Sequence, residues 1–370
     1  MQNSCRKFVK NNNIPKILMC NYYGMCDSNF NVMGHTCKVT KEYYKLLSSK
    51  HKVSIAASPC IAQALKKDGL AVEKQLKYNI YVDVPFTLRK RIADKIKLLK
   101  NLWDCFHEKE GESLFFYQVD FFFFFYVALF YHRHDKKLFC LIYHQDFTGG
   151  KAEKLLQWFY HRALKKIDGV LYTQLGHAVN HDNACWMPDY FYEEKIYLKY
   201  AKMKKNEKAV CLGTMNRYKL LEELVSVFSE NGYPLEIIGR FDDQERYERL
   251  KQYAAHNILI ENRVLSENEY YEMLGGARYS ILPYDMSQYH NRTSGVLLES
   301  LFVGSAPIAP EELLKQNGLP GIGYKKIREL ADFALDTVDL GRIEEERRKI
   351  LIEFRREKVG TAFEDIICNS

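Results

Sequence analysis

Residues 284–310 read YDMSQYHNRTSGVLLESLFVGSAPIAP. A polar turn closes on Ser294-Gly295, an apolar helix follows with Glu299 in its early turns, and Gly304 ends that helix before a strand at Ala306-Pro307-Ile308-Ala309. Small residues leading into a helix start leave backbone N–H groups open at the positive end of the dipole, a ready seat for a phosphate. Glu299, one turn further in, can accept hydrogen bonds from sugar hydroxyls beside that phosphate. An ordinary helix-to-strand corner uses the same small residues, so the stretch alone leaves both readings open.

The second half of the chain alternates strands and helices. Strands are expected at 208–213, 235–239, 258–261 and 279–283, with helices at 219–229, 244–255 and 267–274 between them. That spacing predicts a parallel sheet with right-handed crossovers. The first half opens the same way, with an apolar strand at 16–23, a loop at 24–36 containing Gly34 and His35, a helix at 39–48 and a strand at 51–57. A further buried strand at 137–143 ends in His144, at the carboxyl end where open α/β sheets place ligand contacts. A helix at 151–166 and apolar runs at 169–173 and 184–187 follow. The charged, tyrosine-rich stretch 193–208 reads as a partly helical connection between domains. Residues 343–356 read as a charged helix followed by a shorter one. The domain reading is 1–195, 196–345 and a helical tail, 346–370, packing back on the first domain.

Composition sets limits. The 370 residues are 47% hydrophobic and 27% charged, enough for two domains with cores of their own and unlike a disordered chain. The net charge of +7 suits a partner carrying phosphates. Ten cysteines lack any CxxC or regular zinc spacing, which points to a reducing compartment. The polar start, MQNSCRKFVKNNN, has no apolar signal core, so a cytoplasmic protein is expected, and Asn291-Arg292-Thr293 is then a chance glycosylation pattern.

Two stretches bear on membranes. Residues 86–103 set Arg89, Lys90, Arg91, Lys95, Lys97 and Lys100 among Ile92, Ile96, Leu99 and Trp103 at helical spacing. Such a helix either lies on an anionic membrane surface or packs its stripe on the core and solvates its basic face. Residues 114–131 hold five consecutive phenylalanines, but Gln118 and Asp120 interrupt the run and its apolar part is too short to span a bilayer. A buried helix after a short strand is expected there.

The 284–310 segment resembles the nucleotide-sugar loop of retaining GT-B glycosyltransferases, whose signature holds two glutamates with seven residues between them, before a glycine and a proline. Glu299, Gly304 and Pro307 match; Asn291 stands where the first glutamate belongs. The resemblance implies an α/β GT-B architecture, two Rossmann-like doubly wound domains facing across a cleft. It implies that His144 and Asn291 face the donor sugar and Glu299 the nucleotide ribose, and that Gly34 and His35 lie in the acceptor loop. The family's Gly-Arg-x4-Lys pattern aligns Gly213 and Lys219, with Thr214 in place of the arginine. Lys219 and Arg217, with Thr293, Ser294 and Gly295, are then the donor phosphate contacts, and Arg292 is a further cation. Arginine is the better bidentate phosphate ligand, so its loss at 214 weakens the pattern.

The implied activity is transfer of a sugar from a UDP- or GDP-linked donor to a hydroxyl of a glycan or lipid-linked acceptor, with retention and without a metal or other cofactor. The expected setting is bacterial surface polysaccharide or other glycan assembly, in the cytoplasm or peripherally on the inner face of the membrane. The departures at 291 and 214 keep open a binding protein of the same fold that has lost activity, and a nucleotide-sugar epimerase is a further alternative. Nucleic acid is not expected as a partner, because no motif for it accompanies the basic helix.

Overall fold

The computed structural model describes residues 16–32, 36–82, 84, 87–109, 111–132, 136–143, 153–175, 179–289, 292–332, 335 and 338–369. Two compact units emerge: residues 1–173, 178–189 and 359–370 make the first, and 174–177 with 190–358 the second.

The strands of the first unit are β1 (Lys16–Asn21), β2 (Met25–Cys26), β3 (Lys52–Ala57), β4 (Lys74–Gln75), β5 (Ile80–Tyr81), β6 (Ser113–Phe116), β7 (Lys137–Ile142), β8 (Gly169–Tyr172) and β9 (Ala184–Trp186). Seven form one parallel sheet in the order β4-β3-β1-β6-β7-β8-β9, while β2 pairs with β5. Its helices are α1 (Thr36–Ser48), α2 (Pro59–Lys67), α3 (Leu88–Phe106), α4 (Phe121–Leu129) and α5 (Glu153–Leu164). The central strands are apolar at successive positions because helices cover both faces. Leu18, Leu114, Phe116 and Leu138 face one core with Leu98 and Leu102 of α3, Phe123 and Val127 of α4, and Leu164 of α5. Phe115 and Phe139 point to the other face, where Phe363 lies 5.6 and 5.9 Å from them. The same C-terminal segment is held by His51 Nε2, 2.7 Å from Glu364 Oε1, and by Lys137 Nζ donating to Ile367 O.

The phenylalanine-rich run divides as expected into β6 and α4. Asp120 makes the break, its Oδ1 capping α4 by accepting from the N–H groups of Phe122 and Phe123 at 2.9 and 3.3 Å. No described helix is long and apolar enough to cross a membrane. On α3 the core-packing reading of the stripe holds for Leu99 and is corrected for the other three residues. The packed face is Asp94, Leu98, Asn101, Leu102 and Cys105, and Ile92, Ile96 and Trp103 are about half exposed. Polar groups sit inward because they are satisfied there. Asn101 Nδ2 donates to the carbonyls of Tyr22 and Tyr78, and Asp94 is paired with Lys90 and Lys97.

The second unit carries α6 (Glu194–Ala201), α7 (Leu221–Asn231), α8 (Gln244–Tyr253), α9 (Glu267–Gly276), α10 (Met286–Tyr289), α11 (Gly295–Phe302), α12 (Glu311–Asn317) and α13 (Gly341–Glu353), with a 3-10 turn at Ile327–Ala331. Its strands are β10 (Asn206–Leu212), β11 (Leu235–Gly239), β12 (Ile258–Asn262), β13 (Ala277–Ile281), β14 (Ala306–Pro310) and β15 (Ile322–Tyr324). All pair in parallel in the order β12-β11-β10-β13-β14-β15. Ranked along the chain this is 3-2-1-4-5-6, the doubly wound order, and it reverses between β10 and β13.

Two expectations are corrected. The helix read from 219 begins at Leu221, since Lys219 forms a β-bridge with Tyr284 and Leu220 has a ψ of 62°. The stretch 193–208 is partly helical, as expected: it holds α6, whose Tyr197 packs 5.0 Å from Phe302 and 5.4 Å from Tyr271. The last helix, α14 (Arg356–Asn369), has 14 residues against 13 in α13, so it is not the shorter of the two.

The ends of β10 and β11 touch through backbone. A Cβ on Gly239 would sit 1.6 Å from the carbonyl oxygen of Gly213. Gly232, by contrast, has φ +72° and open space around its missing Cβ. Gly239→Ala is therefore expected to cost about 3 kcal/mol and Gly232→Ala about 1, read as shifts in urea unfolding. Equal losses would contradict the close contact.

Candidate functional site

Ligands of doubly wound sheets bind where the strand order reverses, outside the carboxyl ends of the strands. In the second unit that place lies beyond β10 and β13. The chain leaves β10 at Gly213, whose φ of +98° favours glycine, and turns through Met215 and Tyr218. It leaves β13 through Pro283 and Tyr284. Backbone hydrogen bonds stitch the two exits together: Leu220 N donates to Pro283 O at 2.7 Å and Asp285 N to Tyr218 O at 2.8 Å.

Against these loops opens α11. Ser294 is its N-cap, the hydroxyl accepting from Leu297 N at 3.4 Å and lying 3.3 Å from Tyr284 OH. The N–H groups of Gly295 and Val296 have no partner among the described residues, as the first turn of a helix requires. Val296 Cγ2 approaches within 3.8 Å of where a Gly213 Cβ would be, so the β10 exit lies beside the helix start. Thr293 O accepts from Tyr289 OH at 3.0 Å, and a Cβ on Gly295 would meet Tyr190 Cε2 at 2.7 Å. The three small residues thus have distinct tasks: a carbonyl anchor, a cap and a close approach.

Two arginines converge here. The guanidinium carbons of Arg217 and Arg292 lie 5.2 and 5.3 Å from the centre of the Tyr218 ring, and that of Arg292 is 5.6 Å from Tyr289. Tyr289 stacks on Tyr284 at 3.8 Å, nearly parallel. Rings hold both cations by cation–π attraction without neutralising them. The hydrogen bond from Arg217, followed by the charges of both guanidiniums, pulls the Tyr218 phenol below its usual range. Arg217→Gln and Arg292→Gln should each raise the Tyr218 pKa, Arg217→Gln the more. Ultraviolet titration against a Tyr218→Phe reference reads this, and an unmoved phenol would contradict the clamp.

Lys219 and Glu299 are buried. Lys219 Nζ donates to Leu212 O at 2.9 Å and lies 5.9 Å from the Tyr284 ring centre, under the loop that leaves β10. Glu299 accepts from Tyr271 OH on Oε1 and Tyr270 OH on Oε2, both at 2.8 Å. Burial first, and the Glu299 charge second, push both phenols up, so each remains a donor to the carboxylate. The Tyr270-Tyr271 pair was missed in the sequence. Its signal was two adjacent tyrosines on a helix whose glycine end packs on Tyr200.

The far end of α11 is neutralised by cations. Lys205 Nζ donates to Val303 O at 2.8 Å and to Gly275 O, and Arg347 donates to the carbonyls of Leu301 and Phe302. Burial, then the Arg347 charge, brings the Lys205 ammonium down to about 8. Between that value and the ordinary lysine value the unfolded chain holds more protons than the folded one, so this group raises stability as pH climbs through about 8 to 10.4. Relative to Lys205→Met, the wild-type protein should gain stability across that window in urea unfolding; a parallel pH profile would contradict the buried charge.

The first unit has its own reversal, between β1 and β6. Asn21, fully buried, donates from Nδ2 to Gln118 Oε1 at 3.2 Å, and Thr36 Oγ1 reaches the same oxygen at 3.4 Å. Thr40 Oγ1 and Tyr117 OH lie 2.8 Å apart, and Tyr22 OH donates to Asp120 Oδ1 at 2.7 Å. Asn21 Oδ1 has no hydrogen-bond partner among the described residues. This end of the sheet is lined by amides, hydroxyls and the Asp120 carboxylate, none of them read as a site residue in the sequence. His144, Asn291, Gly34 and His35 lie outside the described residues. Among the described residues no group of three or more His, Cys, Asp or Glu side chains is placed to hold a metal.

The chain has the GT-B fold, two Rossmann-like doubly wound units in one polypeptide, and solved glycosyltransferases share it. Sucrose-phosphate synthase from Thermosynechococcus elongatus is similar at a TM-score of 0.63 and 14% identity, over 95% of this chain and 98% of that one. HepE from Anabaena, solved with UDP and glucose, is similar at 0.61 and 11% identity over 96% and 100%. The UDP-forming α,α-trehalose-phosphate synthase from Burkholderia xenovorans, solved with glucose-6-phosphate, is similar at 0.62 and 9% identity over 96% and 99%. No protein-family model matches the sequence, and no curated protein matches it.

Proposed function

We propose that the protein is a glycosyltransferase that moves a sugar from a UDP- or GDP-linked donor to a hydroxyl of a glycan or lipid-linked acceptor, as in bacterial surface polysaccharide or other glycan assembly. One observation carries the reading: Arg217, Arg292 and the open N–H groups of Gly295 and Val296 gather beside the strand-order reversal of the second unit. Structures of the same fold were solved with UDP or are UDP-forming enzymes.

The chemistry asks for such a site. As the bond between the sugar and the diphosphate breaks, negative charge gathers on the departing phosphate oxygens. Fixed cations and oriented N–H groups stabilise that charge with little reorganisation. In this reading the two arginines replace the missing arginine at 214 and carry the charge in place of a metal. Glu299, oriented by its two tyrosines, takes the nucleotide ribose. The resemblance assigns the donor sugar to His144 and Asn291 and retention to the product. The amide and hydroxyl groups around Asn21 suit a neutral, hydroxyl-rich acceptor.

A second reading has a specific observation behind it. Lys219 and Glu299 already have partners within the protein, which suits a nucleotide-binding protein without turnover. Thermal unfolding with UDP and with GDP, paired with hydrolysis or transfer assays on the matching donors, separates the two. The proposal expects stabilisation by one nucleoside diphosphate, about 2.7 kcal/mol at a hundred times Kd. It also expects donor turnover, and Arg292→Ala and Glu299→Gln should each lower turnover at least about tenfold. Binding without turnover favours the second reading, and no stabilisation by either nucleotide overturns both.

A further inference from the structure

The outward face of α3 carries what the core does not use. At about 100° per residue, Leu88, Ile92, Ile96 and Trp103 fall within an arc of about 80°, with Leu99 between them half-buried against the core. Leu88 is 72% exposed and Trp103 53%. Arg91 and Lys95 run along one edge of this stripe, Arg89 and Lys100 along the other, and all four are exposed. The helix's two acids do not offset them: Asp94 is buried between Lys90 and Lys97, and Asp104 is half-buried.

The stripe continues across neighbouring helices. Lys95 Nζ lies 4.4 Å from the Phe122 ring of α4, and Phe125 of α4 packs 5.1 Å from Phe159 of α5. Beyond that seam Leu155 and Trp158 of α5 are exposed, with the Arg162 guanidinium 5.3 Å from the Trp158 ring. Phe130, just after α4, is also more than half exposed. The phenylalanine run is therefore divided: Phe123 and Phe124 enter the core, and Phe121, Phe122 and Phe125 are half-buried in the outer layer.

We infer that the α3–α4–α5 face of the first unit is a docking surface for an anionic lipid bilayer, with Trp103 and Trp158 seated at the headgroup level. An apolar stripe between two rows of cations matches acyl chains flanked by anionic headgroups, and tryptophan favours that interface. A second copy of this chain fits poorly, because a two-fold contact would set the same four cations against their like. The inference is independent of the glycosyl-transfer reading.

Sedimentation of the full chain with vesicles of phosphatidylcholine alone, or mixed with phosphatidylglycerol, tests it. Binding is expected only with phosphatidylglycerol and should weaken as salt is raised. Ile92→Ser/Ile96→Ser and Arg89→Glu/Lys100→Glu change exposed residues outside the nucleotide site, so circular dichroism and nucleotide-induced stabilisation should stay as in the wild type. Each pair should weaken vesicle binding about tenfold or more. In a chain with Trp158 and Trp186 replaced by phenylalanine, brominated lipid should quench Trp103. Equal binding to neutral vesicles, indifference to both pairs, or an unquenched Trp103 would overturn the inference. So would a concentration-dependent dimer that Ile92→Ser/Ile96→Ser dissolves, since the face would then be covered by protein.

Discussion

The positive end of α11, opened beside the exits of β10 and β13, is the constraint around which the second unit is arranged. Adjacent parallel strands whose crossovers run in opposite directions leave a gap at their carboxyl ends, and a helix starting there points its N–H groups into it. The Gly213–Gly239 backbone contact and the hydrogen bonds from the Tyr218–Leu220 loop to Pro283 and from Asp285 back to Tyr218 hold that gap at a defined width. Gly295 brings the helix start against Tyr190, where no larger residue fits without movement.

Charge is distributed with the same logic. The negative end of α11 is met by Lys205 and Arg347, while its positive end is left to two exposed or half-buried arginines held on aromatic rings. An anion entering there gains from both the amides and the guanidiniums, which already stand in place. Lys219 contributes differently: under the loop, bonded to Leu212 O, it supports the β10 exit from within.

Much of the fold was legible in the sequence because both sheets are parallel and buried, so their strands stand out as apolar runs such as 137–143 and 208–213. Elements of two or three residues, such as β4, β5 and β15, were not legible, since so short a run carries no period. The end of the 267–274 helix was read short for a related reason: Gly275 and Gly276 look like a stop, yet they continue α9 where Tyr200 packs close. At the site, the small residues 293–295 and the carboxylate at 299 were visible from helix-start chemistry. The tyrosines that hold Glu299 and the ring that gathers Arg217 and Arg292 depend on contacts between distant segments, and no local pattern marks them. The same holds for α3, whose packed face admits Asn101 and Asp94 beside Leu98, Leu102 and Cys105 because both polar groups find hydrogen-bond partners there.

The proposed activity requires the diphosphate of an activated sugar to bind at the start of α11. A crystal structure of the protein with UDP or GDP measures this most directly. Phosphate oxygens are expected within hydrogen-bond distance of the Gly295 and Val296 amides, with the Arg217 and Arg292 guanidiniums turned toward them. A nucleotide bound elsewhere, with those amides facing only solvent, would contradict it.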